Sequence, residues 1–133
     1  MRDRSNVLLI SLLAYAAASF FHHVHNAEFL DEYPNMPAWL TPAGVYAAWL
    51  AVNLVGLAGY AFFRWKYRLA GLGLLGIYSA LGLYGLAHYG VAPLAAHTLT
   101  MHLTIGAEAI TAALLLTIVI LECSRLRPEG GST

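Results

Sequence analysis

Three histidines and three carboxylates crowd into residues 20–40, FFHHVHNAEFLDEYPNMPAWL, in a chain that is otherwise mostly Ala, Leu, Gly and Val. Imidazole and carboxylate groups at short helical spacing are ligands for transition metals. His22, His25 and Glu28 follow one another at i, i+3 and i+6. Di-iron bundles use a related spacing, Glu-x-x-His, to present ligands inward from a helix, whereas the order here is His-x-x-His-x-x-Glu. The same spacing also suits the solvated end of an amphipathic helix. His23 sits among these residues, and His88, His97 and His102 come late in the chain. The candidate metal ligands are His22, His23, His25, Glu28, His88 and His97. Membership of His102 stays open, because on a helix it is turned away from the stripe formed by His97, Met101, Thr104, Glu108 and Thr111.

Zinc, iron and copper are the candidate ions. A mixed His/carboxylate set suits zinc or iron better than copper(I), because no cysteine lies near and Met36 and Met101 are the only thioethers in these segments. A closed coordination shell would pin the polar segment to the helices; an open position would support hydrolysis or oxidation. Glu108 is a candidate acid or base. It lies inside an apolar run, about five residues or about 8 Å beyond its edge. An ionisable group at that depth is expensive, so it faces the bundle interior and marks a ligand, ion or proton site, or else it is a protonated Glu bonded to Asn53 or a tyrosine. Tyr15, Ser19, Asn53, Tyr84 and Thr104 form a supporting polar stripe on the helices around it.

Other chemistries fit the same residues. A haem held by His88 or His97 together with a histidine near residue 22 would give a small electron-transfer protein, ranked below a single metal ion because all the histidines lie at one end. A proton-coupled transporter or small-ligand binding module would use the polar stripes to line a cavity, with histidines titrating near neutral pH. An accessory subunit of a larger membrane complex would turn the cluster toward a partner. Nothing in the chain points to nucleic acid.

The elements that must position these residues follow from composition. Hydrophobic residues make up 59% of 133 and charged residues 11%, and a span of roughly 20 mostly apolar residues crosses the hydrocarbon layer. Four windows qualify, at about residues 7–21, 43–63, 69–88 and 103–121. The expected fold is an all-α, integral membrane four-helix bundle in a single domain, with membrane lipid as its surroundings and a homo-oligomer or a larger complex as its assembly. The basic start MRDR before an apolar stretch resembles a secretory signal, but AAASFF runs into HHVH without a clean cleavage site, so it reads as a retained first helix. The single cysteine, Cys123, excludes an internal disulfide.

Charge placement sets the topology. The seven basic residues are Arg2 and Arg4, then Arg64, Lys66 and Arg68, then Arg125 and Arg127. Four crossings put these three groups on one side, and the positive-inside rule makes that side cytoplasmic. Both termini are then cytoplasmic and all six histidines fall at the extracytoplasmic ends of helices or in the outer loops, in the plasma membrane of a bacterium or archaeon. The first and fourth helices are long enough to project beyond the outer face. Pro93 offers the fourth helix a second starting point near residue 93. Between the first two helices, Pro34, Pro37 and Pro42 break helix, Trp39 suits an interface anchor, and Thr41 before Pro42 suits a helix N-cap. Five glycines in the third span, Gly71, Gly73, Gly76, Gly82 and Gly85, predict close helix packing or dimerisation.

The stretch HNAEFLDEYPNMPAWL, His25 to Leu40, resembles the conserved segment of the uncharacterised HXXEE-domain membrane proteins, in which His-x-x-Glu-Glu precedes a short segment containing proline and tryptophan. The resemblance covers about sixteen of the 133 residues. Phe29 stands where the second glutamate would be, with Asp31 and Glu32 nearby. The resemblance implies that His25 and Glu28 act as a functional pair, and it implies no particular activity.

Overall fold

Long Ala- and Leu-rich runs without interior proline leave the helix as the structure that satisfies every backbone group in an apolar setting. A computed structural model describes residues 2–126, and among those residues it is helical with no strand. The helices are α1 (Arg2–Glu28), α2 (Pro42–Arg64), α3 (Arg68–Leu83), α4 (His88–Val91) and α5 (Leu99–Arg125). A tight 3₁₀ turn at Tyr84–Ala87 joins α3 to α4, so that the two form one span. Four stretches are long and apolar enough to cross a membrane: Arg4–Glu28, Pro42–Arg64, Arg68–Val91 and Leu99–Arg125. This fits an integral membrane protein. The basic residue Arg127 lies outside the described residues.

The bundle closes as a ring, with α1 packed on α2 and α5, and α3 packed on α2 and α5. Leu8, Leu12, Leu72, Leu75 and Leu115 fill its centre and are almost wholly buried. Ile10, Leu54, Leu57, Leu103 and Ile110 instead face outward. Apolar residues on both the inner and the outer face are what a helix needs when its surroundings are hydrocarbon.

Two glycines of α3 let neighbours come close. A Cβ on Gly71 would meet the backbone of Phe63, and one on Gly82 would overlap the Tyr15 ring. The predicted close packing therefore occurs within the chain. Gly73 has nothing within 4 Å of where its Cβ would be.

Helix ends follow local chemistry. Thr41 caps α2 by accepting a hydrogen bond from Gly44 N at 3.1 Å, with Pro42 at the first helical position. The alternative start of the fourth long helix near residue 93 is not adopted. Pro93 opens only a 3₁₀ turn, Leu94–Ala96, after which His97 and Thr98 are extended. The Thr98 hydroxyl then accepts from Met101 N, which caps α5 at Leu99. A threonine side chain able to satisfy an orphan first-turn N–H outcompetes a proline that merely permits a helix.

Residues 29–41 form a strap across the end of the bundle. Tyr33 inserts against Met101 and Ile105. Asn35 takes a left-handed backbone conformation (φ 58°), which Asn tolerates better than most residues, and its Nδ2 donates to Val91 O at 2.8 Å. Trp39 is exposed.

Candidate metal centre

Glu108 projects from α5 into the ring of helices about 14 Å from the start of that helix, and it is 3% exposed. Opposite it on α1 stand His22, also 3% exposed, and His23. His22 Nδ1 is in direct hydrogen-bond contact with Glu108 Oε2, and His23 Nδ1 lies 3.9 Å from Oε1. His22, His23 and Glu108 each offer a ligand atom, and these atoms all lie within 4.8 Å of one another.

The surroundings hold these groups in place. His23 Nδ1 is 2.8 Å from the Ser19 carbonyl oxygen. A carbonyl only accepts, so the ring proton sits on Nδ1 and the lone pair is left on Nε2. The Nε2 of His22 is buried with no hydrogen-bond partner. His88 packs edge-on against His22, with ring centroids 5.4 Å apart.

Beneath the site a polar layer crosses the bundle. Tyr15 O–H donates to Tyr78 O at 3.3 Å, and Tyr78 O–H donates to Asn53 Oδ1 at 2.8 Å. Asn53 thus finds its interhelical partner on α3, and Glu108 bonds to His22 instead.

The other predicted ligands go elsewhere. Six residues are about 1.7 helical turns, so the His22, His25, Glu28 series rotates progressively out of the site. His25 Nδ1 meets the Tyr33 hydroxyl at 2.9 Å, and Glu28 is exposed and accepts from Tyr46 O–H at 2.8 Å. Burial pushes the Tyr33 hydroxyl up to about 12, so it stays protonated well above neutral pH. His97 lies off α5, with Nδ1 3.1 Å from Pro93 O. His97 and His102 both pack on Tyr89, a second aromatic group separate from Glu108. Tyr84 is 77% exposed because the chain tightens to a 3₁₀ turn there, and the Thr104 hydroxyl bonds to carbonyls of its own helix.

Gly85, one of the five glycines expected to allow close packing, lies at the site, a role its place in that pattern did not indicate. A Cβ there would stand 3.0 Å from Glu108 Oε2 and 3.5 Å from the His22 ring. The glycine leaves the volume that the pair occupies. The signal for it was its place three residues before His88, at the level where the histidines gather.

Comparison of the chain with protein-family models, curated proteins and solved structures gave no match.

Proposed function

We propose that this chain is an integral membrane metal-binding protein that holds one transition metal ion of the zinc or ferrous-iron class between His22, His23 and Glu108, with His88 as the fourth donor. The observation that carries this reading is the convergence of three ligand atoms within 4.8 Å inside the membrane-spanning bundle. Two imidazoles and a carboxylate match the preferences of zinc and non-haem iron. Ser19 supports the assignment by fixing the His23 tautomer from its backbone carbonyl, as outer partners of metal-bound histidines do. The buried Nε2 of His22 has no hydrogen-bond partner and is free to serve as that residue's one ligand atom. The arginine and lysine residues gathered at the opposite end support an extracytoplasmic side for this site by the positive-inside rule, with both termini in the cytoplasm.

Elemental analysis of the purified full chain tests the proposal. One zinc or iron per chain is expected, with loss in His22→Ala and Glu108→Ala. Absence of stoichiometric metal, with reloading also failing, overturns it. A Soret band in the absorption spectrum would move the assignment to haem, and pH-dependent flux into liposomes that is lost in Glu108→Gln would move it to proton-coupled transport.

A further inference from the structure

The end of the bundle opposite the histidines carries a second constellation, with one arginine from each long helix. Arg4 belongs to α1, Arg64 ends α2, Arg68 begins α3 and Arg125 ends α5. With Ser5 and Glu122 they line a cavity of about 540 Å³. Arg64 Nη1 donates to Ser5 Oγ at 3.0 Å, and Arg125 Nη1 donates to Glu122 Oε1 at 2.6 Å. Arg68 lies over the Phe63 ring, 4.9 Å from its centroid, and its buried Nε has no hydrogen-bond partner. Four guanidinium groups face one carboxylate here, an excess of three positive charges among the described lining residues. Like charges gathered around one cavity repel unless an anion sits among them, and the arginine fork matches the oxygens of a phosphate.

A second observation says what kind of phosphate. A narrower cavity of about 310 Å³ shares Arg4, Glu122 and Arg125 with the first and is otherwise lined by Val7, Ile118 and Leu121. These apolar residues belong to α1 and α5, which pack together. Val7 and Leu121 are about half exposed on the outward surface of the helices. A basic cavity that passes into an apolar seam reproduces the polarity of a glycerophospholipid, phosphate first and acyl chain beyond it.

We propose that this end of the bundle binds one anionic glycerophospholipid, its phosphate held by Arg4, Arg68 and Arg125 and one acyl chain lying in the α1–α5 seam. The proposal does not depend on the metal site. Native mass spectrometry of the full chain in detergent tests it, with phosphatidylglycerol, phosphatidylcholine and inorganic phosphate added separately. One phosphatidylglycerol should be retained per chain, about tenfold more readily than phosphatidylcholine, and Arg68→Ala should lower its retention about fivefold. Leu121→Trp, which fills the seam, should lower phosphatidylglycerol retention and leave inorganic phosphate binding unchanged. If Arg68→Ala fails to fold by circular dichroism, Arg4→Ala, whose side chain is exposed, carries the same comparison. Equal retention of both lipids, or retention indifferent to the arginine substitutions, overturns the proposal. Inorganic phosphate bound without any phosphatidylglycerol assigns the cavity to a free phosphate and overturns the lipid.

Discussion

The two ends of α5 each bury one carboxylate, and they differ in what faces it. Glu108 and Glu122 are fourteen residues apart, about 21 Å and nearly a whole number of turns, so both look into the bundle from the same side of one helix. Glu108 meets imidazoles, which carry lone pairs as well as protons; Glu122 meets Arg125, a donor that never offers a lone pair. The same acid therefore belongs to a set that can take up a cation at one end and to a set that can take up an anion at the other. The partner's chemistry, rather than the carboxylate, decides which.

Truncating each carboxylate is the sharpest way to break that comparison. Glu108→Ala leaves His22 buried without its partner, and about 3–5 kcal/mol of stability should be lost. Glu122→Ala should cost only about 1 kcal/mol, because the Arg125 side chain is 48% exposed and water screens the pair. Thermal unfolding in detergent reads both, and metal content should fall only in Glu108→Ala. Equal losses at the two ends would show that the partners do not matter.

A smaller effect separates two glycines of one span. Gly85→Ala pushes a methyl against Glu108 and His22 and should destabilise by about 1–3 kcal/mol, with weaker metal retention. Gly73→Ala meets open space and should stabilise by up to about 1 kcal/mol through helix propensity. The same unfolding measurement checks the opposite signs.

The smallest effect is at the strap. Tyr33→Phe removes the hydrogen bond to His25 and should cost about 1 kcal/mol. Because burial raises the folded Tyr33 hydroxyl to about 12 from an ordinary 10, the folded state holds this proton more tightly than the unfolded chain. Its contribution is fully present below pH 10 and declines as pH rises toward 12. Unfolding followed across pH 8–12 should show a shallower alkaline decline in Tyr33→Phe than in the parent chain.

Hydropathy alone made the four helices legible, because a span must satisfy its backbone internally and so betrays itself by length and composition. Thr41 and Pro42 likewise announced the start of α2. Spacing along one helix was a poorer guide to the site. It proposed His25 and Glu28 because ligand spacing was sought within α1, whereas the partner of His22 came from α5, eighty-six residues later. Glu108 was legible as an interior acid from its depth, but which imidazoles it meets depends on how α1 and α5 rotate against each other, and no local pattern encodes that. The start of α5 was missed for a different reason, since Pro93 and Thr98 are both good helix starters and only the extended His97 between them decides.

His22 and His23 sit on α1, and Glu108 sits on α5. A ribosome delivers α1 long before α5, so the newly made protein passes through a stage in which both histidines are already in place and their carboxylate is not yet made. The site forms only once α5 docks beside α1. A chain truncated before Glu108 would carry the imidazoles of α1 without the carboxylate that faces them.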